Sequence, residues 1–149
     1  MRATTAFLFV LLGTFIIDQN LKQLFIAGFY HAGSCIDFEL HYNNGVAFSM
    51  FAFLGDALKW IQVALVLGLA VFFAKEGYLK RYAFPSGLLF GGALGNLYDR
   101  FNHGAVVDYV AWHCGFDFAV FNFADVAIDI GVASLLVMLY FFSKEEKKV

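Results

Sequence analysis

The sequence predicts an all-α integral membrane protein with four membrane-spanning helices, and composition, apolar stretches and charge placement support this prediction. Hydrophobic residues make up 61% of the 149 residues and charged residues 15%, whereas an average soluble domain is roughly 45–50% apolar and about 25% charged. The net charge of −2 offers no basic surface for nucleic acid, so no nucleic-acid partner is expected. We expect a single domain over residues 1–149.

Four stretches approach the roughly 20 apolar residues that a spanning helix needs: residues 3–26, 57–74, 84–97 and 119–142. The first also suits a cleavable signal peptide. A polar cluster from Asp18 to Lys22 stands where a cleavage site would be, which favours a retained helix. Pro85 is compatible with the start of the third helix, where its missing N–H does least harm.

The positions of Lys and Arg predict the orientation in the membrane. Seven of the ten basic residues fall at the two termini and between the second and third spans, namely Arg2, Lys75, Lys80, Arg81, Lys144, Lys147 and Lys148. Because basic residues are enriched on the cytoplasmic side, both termini are predicted to be cytoplasmic. Residues 36–42 of the first outer loop alternate between apolar and polar, and residues 43–45 form a turn sequence. We therefore expect a small extracytoplasmic sheet.

The third span carries a ridge of small residues at Gly87, Gly91 and Gly95, one helical turn apart. Such a ridge allows a second helix to approach closely. A nucleotide-binding loop is excluded because no strand precedes these glycines and their spacing is wrong.

Polar groups within the spans are functional candidates by default. Asp18 and Lys22 lie four residues apart on one helix face, which also suits a structural ion pair with Lys22 reaching outward to the interface. Asn96 and Arg100 have the same spacing and present an amide and a guanidinium together at the outer end of the third span.

Asp108 and Asp125 are expected near the outer membrane boundary. Two carboxylates in a partly dry site share a proton near neutrality. One can then deprotonate a water while the other donates to a carbonyl oxygen, which suits peptide hydrolysis. Two unrelated aspartates that cap helices or form ion pairs are the alternative.

Two further kinds of site receive little support. His103, Asp108, His113 and Cys114 share one loop, but their spacing fits no familiar zinc pattern, and neither a metal nor a cofactor is expected. Cys35 and Cys114 can pair only if their segments meet, which the sequence leaves open.

Two other protein classes are also considered. In a proton-coupled transporter, Asp18, Asp125 and Asp129 would relay protons, but the two halves of the chain show no similarity to one another. A structural helix bundle would need none of these carboxylates.

Five motifs occur in order: DQNLK at residues 18–22, NNGVAF at 43–48, GGALGNLYDR at 91–100, VVDY at 106–109 and FNFAD at 121–125. Together they closely resemble the bacterial lipoprotein signal peptidases, or signal peptidase II family, over residues 18–131. The resemblance implies an aspartic endopeptidase of the bacterial inner membrane, with four helices, a sheet that cradles the substrate, and its site near the extracytoplasmic face.

The resemblance also implies roles for residues. Asp108 and Asp125 match the catalytic pair, and the polar residues that shape the site match Asp18, Lys22, Asn43, Asn96, Arg100 and Asn122. The implied substrate is a diacylglyceryl-modified prolipoprotein, cut N-terminal to its lipidated cysteine, and globomycin-type peptides would block the site. We expect a functional monomer among membrane lipids. Asp129 departs from the family pattern; it either acts on Asp125 one turn away or is satisfied at another helix.

Overall fold

The computed structural model of the chain describes residues 2–45 and 50–146, with side chains up to residue 141. Within these residues, five helices and two strands follow in chain order: α1 (Ala3–Ile26), β1 (Ile36–Asn43), α2 (Ala57–Lys75), α3 (Tyr78–Arg81), α4 (Ala83–His103), β2 (Val106–Trp112) and α5 (Phe123–Glu146). A 3-10 turn at Ala52–Leu54 precedes α2. Several residues used in the predictions lie outside the described residues: Val46, Ala47, Phe48, Lys147 and Lys148.

Three of the described helices are long and apolar enough to cross a membrane: α1, α2 and residues Phe123–Phe141 of α5. Large apolar side chains such as Phe9, Leu65 and Leu136 are exposed on their outer faces. Extended apolar surface of this kind is typical of a protein surrounded by lipid. Three of the four predicted spans are thus confirmed as candidate spans of a multi-pass membrane protein.

Helix α4 is the central helix of the bundle and packs mainly against α1 and α5. It is longer than the predicted stretch of residues 84–97, and it falls short of the apolar character of the other three helices. The predicted glycine ridge is confirmed as a close contact with α1. A Cβ atom at Gly91 would lie 2.7 Å from the carbonyl oxygen of Leu11, so only glycine allows this approach.

The predicted strand at residues 36–42 is confirmed as β1, which pairs antiparallel with β2. The register places His41 opposite Asp108 and Asn43 opposite Val106. A disulfide joins Cys35 to Cys114 at the far end of this sheet, with Cα atoms 4.4 Å apart. The two segments therefore meet, and the Cys114 sulfur is part of a covalent bond rather than a thiolate ligand.

The predicted start of the last span, at residue 119, is wrong by four residues. Phe121 instead pairs with β2, since its N–H donates to the carbonyl of Val110 at 3.1 Å and its own carbonyl accepts from the N–H of Val110 at 2.9 Å. Helix α5 begins only at Phe123, after this extended segment. The end of the sheet and the start of α5 are thereby tied together.

Candidate active site

Lys22 is the centre of a buried polar cluster between α1 and α4. Its Nζ lies 2.8 Å from Asp18 Oδ2 and 2.7 Å from Asp99 Oδ2, and it donates to Asn96 Oδ1 at 2.9 Å. The residue is 0% exposed. The predicted Asp18–Lys22 pair is therefore confirmed, but the alternative in which Lys22 reaches outward is wrong. A second carboxylate and an amide on α4 supply the partners that a buried ammonium group needs.

Asp18 also connects this cluster to the N-terminus of α5. Its second carboxylate oxygen, Oδ1, accepts a hydrogen bond from the backbone N–H of Ala124 at 3.1 Å. The first backbone N–H groups of a helix have no partner within the helix, and an anion there is stabilised by the helix dipole. Asp18 thus holds the first turn of α5 against α1.

Asn122 and Asp125 cap the N-terminus of α5 with a reciprocal pair of hydrogen bonds. The N–H of Asp125 donates to Asn122 Oδ1 at 3.0 Å, and the N–H of Asn122 donates to Asp125 Oδ2 at 3.0 Å. This is the geometry of a capping box, with Asn and Asp in place of the more usual Ser or Thr and Glu. The capping interaction fixes Asp125 in the first turn of the helix.

Two asparagine side chains connect Asp125 to Asp108. Asn96 Nδ2 donates to Asp125 Oδ1 at 2.8 Å, and Asn122 Nδ2 donates to Asp108 Oδ1 at 2.7 Å. Asn122 Nδ2 also lies 3.0 Å from Asn96 Oδ1. The structure thus brings together the two carboxylates that the sequence singles out, around a shared pair of amides.

Asp108 lies on β2 and is 2% exposed. Burial raises the pKa of this carboxyl group to about 6, because a buried carboxylate loses its hydration. Asn43 opposes this effect by donating from Nδ2 to Asp108 Oδ2 at 2.9 Å, while the charge of Asp125 adds to it. The pKa of Asp108 therefore lies closer to neutral pH than that of an ordinary aspartate.

Arg100 joins α4 to α2 and to the loop after β1. Its Nε donates to Gln62 Oε1 at 2.9 Å, and its Nη2 donates to the carbonyl oxygen of Gly45. The N–H of Gly45 donates back to Asn43 Oδ1 at 2.9 Å. Arg100 and Asn43, both predicted from the sequence, thus meet at the same loop.

A cavity of about 580 Å³ opens onto these groups. Its polar end is lined by both carboxylates and by their partners, namely Asn43, Asn96, Arg100, Asp108 and Asp125. Its apolar wall comes from α2 and α5, through side chains such as Leu58, Ile61, Leu65 and Ile128, and from residues 118–121 that precede α5. The cavity therefore presents a polar region and an apolar region side by side.

Asp129 also lines this cavity, one turn beyond Asp125, and is exposed. Among the described residues, none hydrogen-bonds or forms an ion pair with its side chain. The expectation that another helix satisfies Asp129 is therefore wrong.

Three polar residues of the site were missed in the sequence, namely Gln19, Gln62 and Asp99. Gln62 is the one amide in an otherwise apolar α2 sequence, which is a recognisable signal within a membrane span. Asp99 lies three residues after Asn96 on the same helix face, and its side chain also accepts from Gln19 Nε2 at 3.0 Å.

The four residues considered as a possible metal set are His103, Asp108, His113 and Cys114. Within the part of the chain that the structure describes, no group of three or more His, Cys, Asp or Glu side chains is placed to hold a metal ion. His113 lies beside Asp37, with 3.3 Å between Nε2 and Oδ2, and His103 lies against the ring of Tyr42. The four residues named as a possible metal set thus have separate surroundings.

The fold and the site together define a class: a helical membrane protein whose central helix carries a buried polar site that opens onto a partly apolar cavity. Two solved bacterial membrane enzymes, both determined by the in meso method, have this fold. The first, at 2.3 Å resolution, has a TM-score of 0.81 and 27% identity, and the match covers 96% of this chain and 92% of that one. The second, at 1.9 Å resolution, has a TM-score of 0.76 and 28% identity, covering 89% and 91%.

The family model for signal peptidase II, Peptidase_A8, matches residues 10–142. A lipoprotein signal peptidase from Sulfurovum sp. (strain NBC37-1) is 67% identical over 142 residues, which covers 95% of this chain and 97% of the relative. One from Helicobacter acinonychis (strain Sheeba) is 44% identical, covering 100% and 98%. The chain belongs to the signal peptidase II family of peptidases. The resemblance drawn from its motifs is confirmed, and the transporter and scaffold alternatives are set aside.

Proposed function

We propose that the chain is an aspartic endopeptidase that removes the signal peptide from diacylglyceryl-modified prolipoproteins, cutting N-terminal to the lipidated cysteine. The observation that carries the proposal is the placement of Asp108 and Asp125 on one cavity wall, joined through Asn96 and Asn122. Membership of the signal peptidase II family and the names of the relatives support the substrate class.

The proposed reaction uses the two carboxyl groups as a base and an acid. Burial raises the pKa of Asp108 to about 6, and two carboxyl groups in one site favour the state in which they hold one proton between them. The ionised carboxylate takes a proton from a water molecule, and the oxygen of that water attacks the scissile carbonyl carbon. The protonated carboxyl group donates its proton to the carbonyl oxygen. Collapse of the tetrahedral intermediate breaks the C–N bond, and a carboxyl group returns a proton to the leaving amine.

The remaining polar residues would position this pair. Asn96 and Asn122 donate directly to the two carboxylates, and Asn43 donates to Asp108. Hydrogen bonds of this kind fix the directions in which the carboxylate oxygens face, which matters because proton transfer requires aligned partners. Asp18 and Lys22 would act from further away, by holding the first turn of α5 in place.

The apolar wall of the cavity suits the lipid portion of such a substrate. Leu58, Ile61 and Leu65 line the cavity from α2, a helix whose other surface is largely exposed and apolar. Transfer of an acyl chain from water to this wall would be favourable by about 0.8 kcal/mol per CH₂ group. An acyl chain that comes from the bilayer does not gain this free energy, because it is already in an apolar environment. A substrate that stays in the bilayer instead needs no transfer into water, which gives a physical reason for a membrane-embedded enzyme.

We further propose that α4 is the fourth span and that the site lies near the extracytoplasmic face of a bacterial inner membrane. A helix of 21 residues extends about 31 Å at 1.5 Å per residue, close to the thickness of the hydrocarbon core. Its glycines contact α1 and α5, and Asn96, Asp99 and Arg100 bond to other groups of the protein, so it needs less apolar character. The Cys35–Cys114 disulfide favours an oxidising compartment for the sheet.

We expect the enzyme to act as a monomer.

The test is cleavage of a purified diacylglyceryl-modified prolipoprotein, followed by the mobility shift on a gel, with and without globomycin. The Asp108→Asn and Asp125→Asn variants should each lose at least about 100-fold in rate, because each removes a group that transfers a proton. Both should fold, since Asn keeps the size and part of the hydrogen bonding of Asp.

The matched control is Asp56→Asn, which changes an exposed aspartate that forms an ion pair with Lys59, away from the cavity. This variant should cleave at the unmodified rate. Wild-type activity in either Asp108→Asn or Asp125→Asn would overturn the aspartic mechanism, whereas cleavage of the non-lipidated precursor at an equal rate would overturn the proposed substrate class.

A further inference from the structure

Gln62 is a polar side chain in a helix that otherwise consists of apolar residues between its terminal lysines. Helix α2 packs mainly on α4, with smaller contacts to α3 and the 3-10 turn. Among the described residues, Gln62 is the one α2 side chain that hydrogen-bonds to another helix or strand. Its Oε1 accepts from Arg100 Nε at 2.9 Å. A polar contact in this position needs a reason, because polar groups in membrane spans are costly.

A continuous chain of hydrogen bonds leads from Gln62 to Asp108. Arg100 bonds to Gln62 through Nε and to the carbonyl oxygen of Gly45 through Nη2. The N–H of Gly45 donates to Asn43 Oδ1 at 2.9 Å, and Asn43 Nδ2 donates to Asp108 Oδ2 at 2.9 Å. Four consecutive bonds thus connect the α2 wall of the cavity to one of the two site carboxylates.

The chemistry of Arg100 makes the first of these bonds important. A guanidinium group is planar, so fixing its Nε direction also fixes the direction of its Nη atoms. Asp108, Asp99 and Asp125 all attract its charge, yet its hydrogen bonds to the described residues go to two neutral acceptors, Gln62 and Gly45. Without the Gln62 acceptor, the guanidinium is free to turn towards the carboxylates and release the Gly45 carbonyl.

We propose that Gln62 is a positioning residue, which holds Arg100 so that the loop at Gly45 and the amide of Asn43 keep Asp108 in its working orientation. This inference rests on the proposed function, because it gives Asp108 a role in the reaction. It adds a residue of α2 to a site that otherwise comes from α1, α4, α5 and the sheet. The wall that would contact the lipid portion of the substrate is thereby connected to the reacting group.

The experiment compares two substitutions that have similar size and differ in the acceptor oxygen. Gln62→Met removes the acceptor and should lower kcat about tenfold, with KM changed by less than about threefold, because a loss of alignment worth ~1.4 kcal/mol affects the transition state. Gln62→Glu retains an acceptor for Arg100 Nε and should recover most of kcat. Leu67→Met is the control, since Leu67 is an exposed residue of the same helix that does not line the cavity.

Coupling between the Gln62 and Asn43 substitutions provides a second readout. If Gln62 acts through Asn43, then Gln62→Met combined with Asn43→Ala should lower kcat little more than Asn43→Ala alone. Multiplicative effects of the two substitutions would overturn the proposal. So would a rise in KM with kcat unchanged, because that result would make Gln62 a simple part of the cavity wall.

Asp108→Asn is assayed beside these variants, so that two kinds of failure can be separated. Wild-type activity in Asp108→Asn overturns the proposed function itself. Loss of activity in Asp108→Asn with an unchanged kcat in Gln62→Met overturns only the positioning role. Thermal unfolding in detergent is measured for each variant, and a Gln62→Met variant that loses kcat while unfolding at the temperature of Leu67→Met supports a role beyond folding.

Discussion

At the scale of single residues, the proton of Asp108 is controlled by two opposing influences. Burial raises its pKa to about 6, and the hydrogen bond that Asn43 donates lowers it. The donated bond stabilises the ionised carboxylate, so Asn43→Ala should raise the pKa of Asp108 further. In a profile of kcat/KM against pH, the limb near pH 6 should therefore move to higher pH, whether Asp108 acts as the base or as the acid.

The control for this shift is Asn44→Ala, which changes the exposed neighbour of Asn43 and should leave the limb in place. An unchanged limb in Asn43→Ala would contradict the assignment of that limb to Asp108. The other charged or titratable groups around Asp108 are unchanged in both variants: Asp18 and Lys22 of α1, His41 of β1, Asp99 and Arg100 of α4, and Asp125 of α5.

The site residues that were predicted are recognisable in the local sequence, whereas the roles of those that were missed depend on how the helices pack. Asp108 and Asp125 could be singled out because a carboxylate beside an apolar segment is rare enough to be noticed from sequence alone. The role of Gln62 depends on how α2 packs against α4, and nothing in the local sequence determines that packing. Asp99 was visible in its motif, but its bond to Lys22 depends on the contact between α1 and α4.

At the scale of elements, apolar length predicted the helices, whereas their boundaries depended on partners distant in sequence. The start of α5 was misplaced because Phe121 pairs with β2, a contact that periodicity cannot show. Strand β2 was missed because its residues are mostly apolar without a clear alternation, as its mostly buried sequence VVDYVAW shows. The glycine ridge of α4, by contrast, has a fixed spacing, which made its close packing predictable.

Gly92 provides a test of the contact between α4 and α5. A Cβ atom at this position would lie 2.5 Å from the carbonyl oxygen of Ala124 and 2.9 Å from Ile128 Cγ1. Gly92→Ala should therefore force the helices apart and lower the free energy of unfolding by about 1–3 kcal/mol. It should also reduce cleavage, because the first turn of α5 carries Asp125. Thermal unfolding in detergent and the gel assay measure the two effects.

Gly68→Ala is the matched control, because a Cβ atom on this α2 glycine meets nothing within 4 Å. Alanine has a higher helix propensity than glycine, so this variant should be as stable as the unmodified protein or more so, by up to about 1 kcal/mol. Equal losses of stability in Gly92→Ala and Gly68→Ala would show that the helix contact at Gly92 is not as close as described.

At the scale of the whole molecule, the topology depends on whether α4 crosses the membrane. If it does, the sheet and the Lys80 segment lie on opposite sides of the bilayer, since α4 separates them in the chain. If it does not, both lie on the same side. Positive charge around α3 and the disulfide of the sheet both favour the first arrangement. The proposed fourth span would therefore determine the side from which the proposed substrate approaches the carboxylates.

The two cysteines of the chain allow this to be measured directly. After treatment of intact spheroplasts with a membrane-impermeant reductant, an impermeant maleimide should label Cys35 and Cys114, because the proposed topology places both outside. In a background with both cysteines changed to serine, Lys80→Cys should be labelled only after the membrane is permeabilised, since Lys80 is exposed on the opposite end of α4. The serine background alone should take up no label. Labelling of Lys80→Cys in intact spheroplasts would place both ends of α4 on one side, and would contradict the four-span topology together with the extracytoplasmic position of the site.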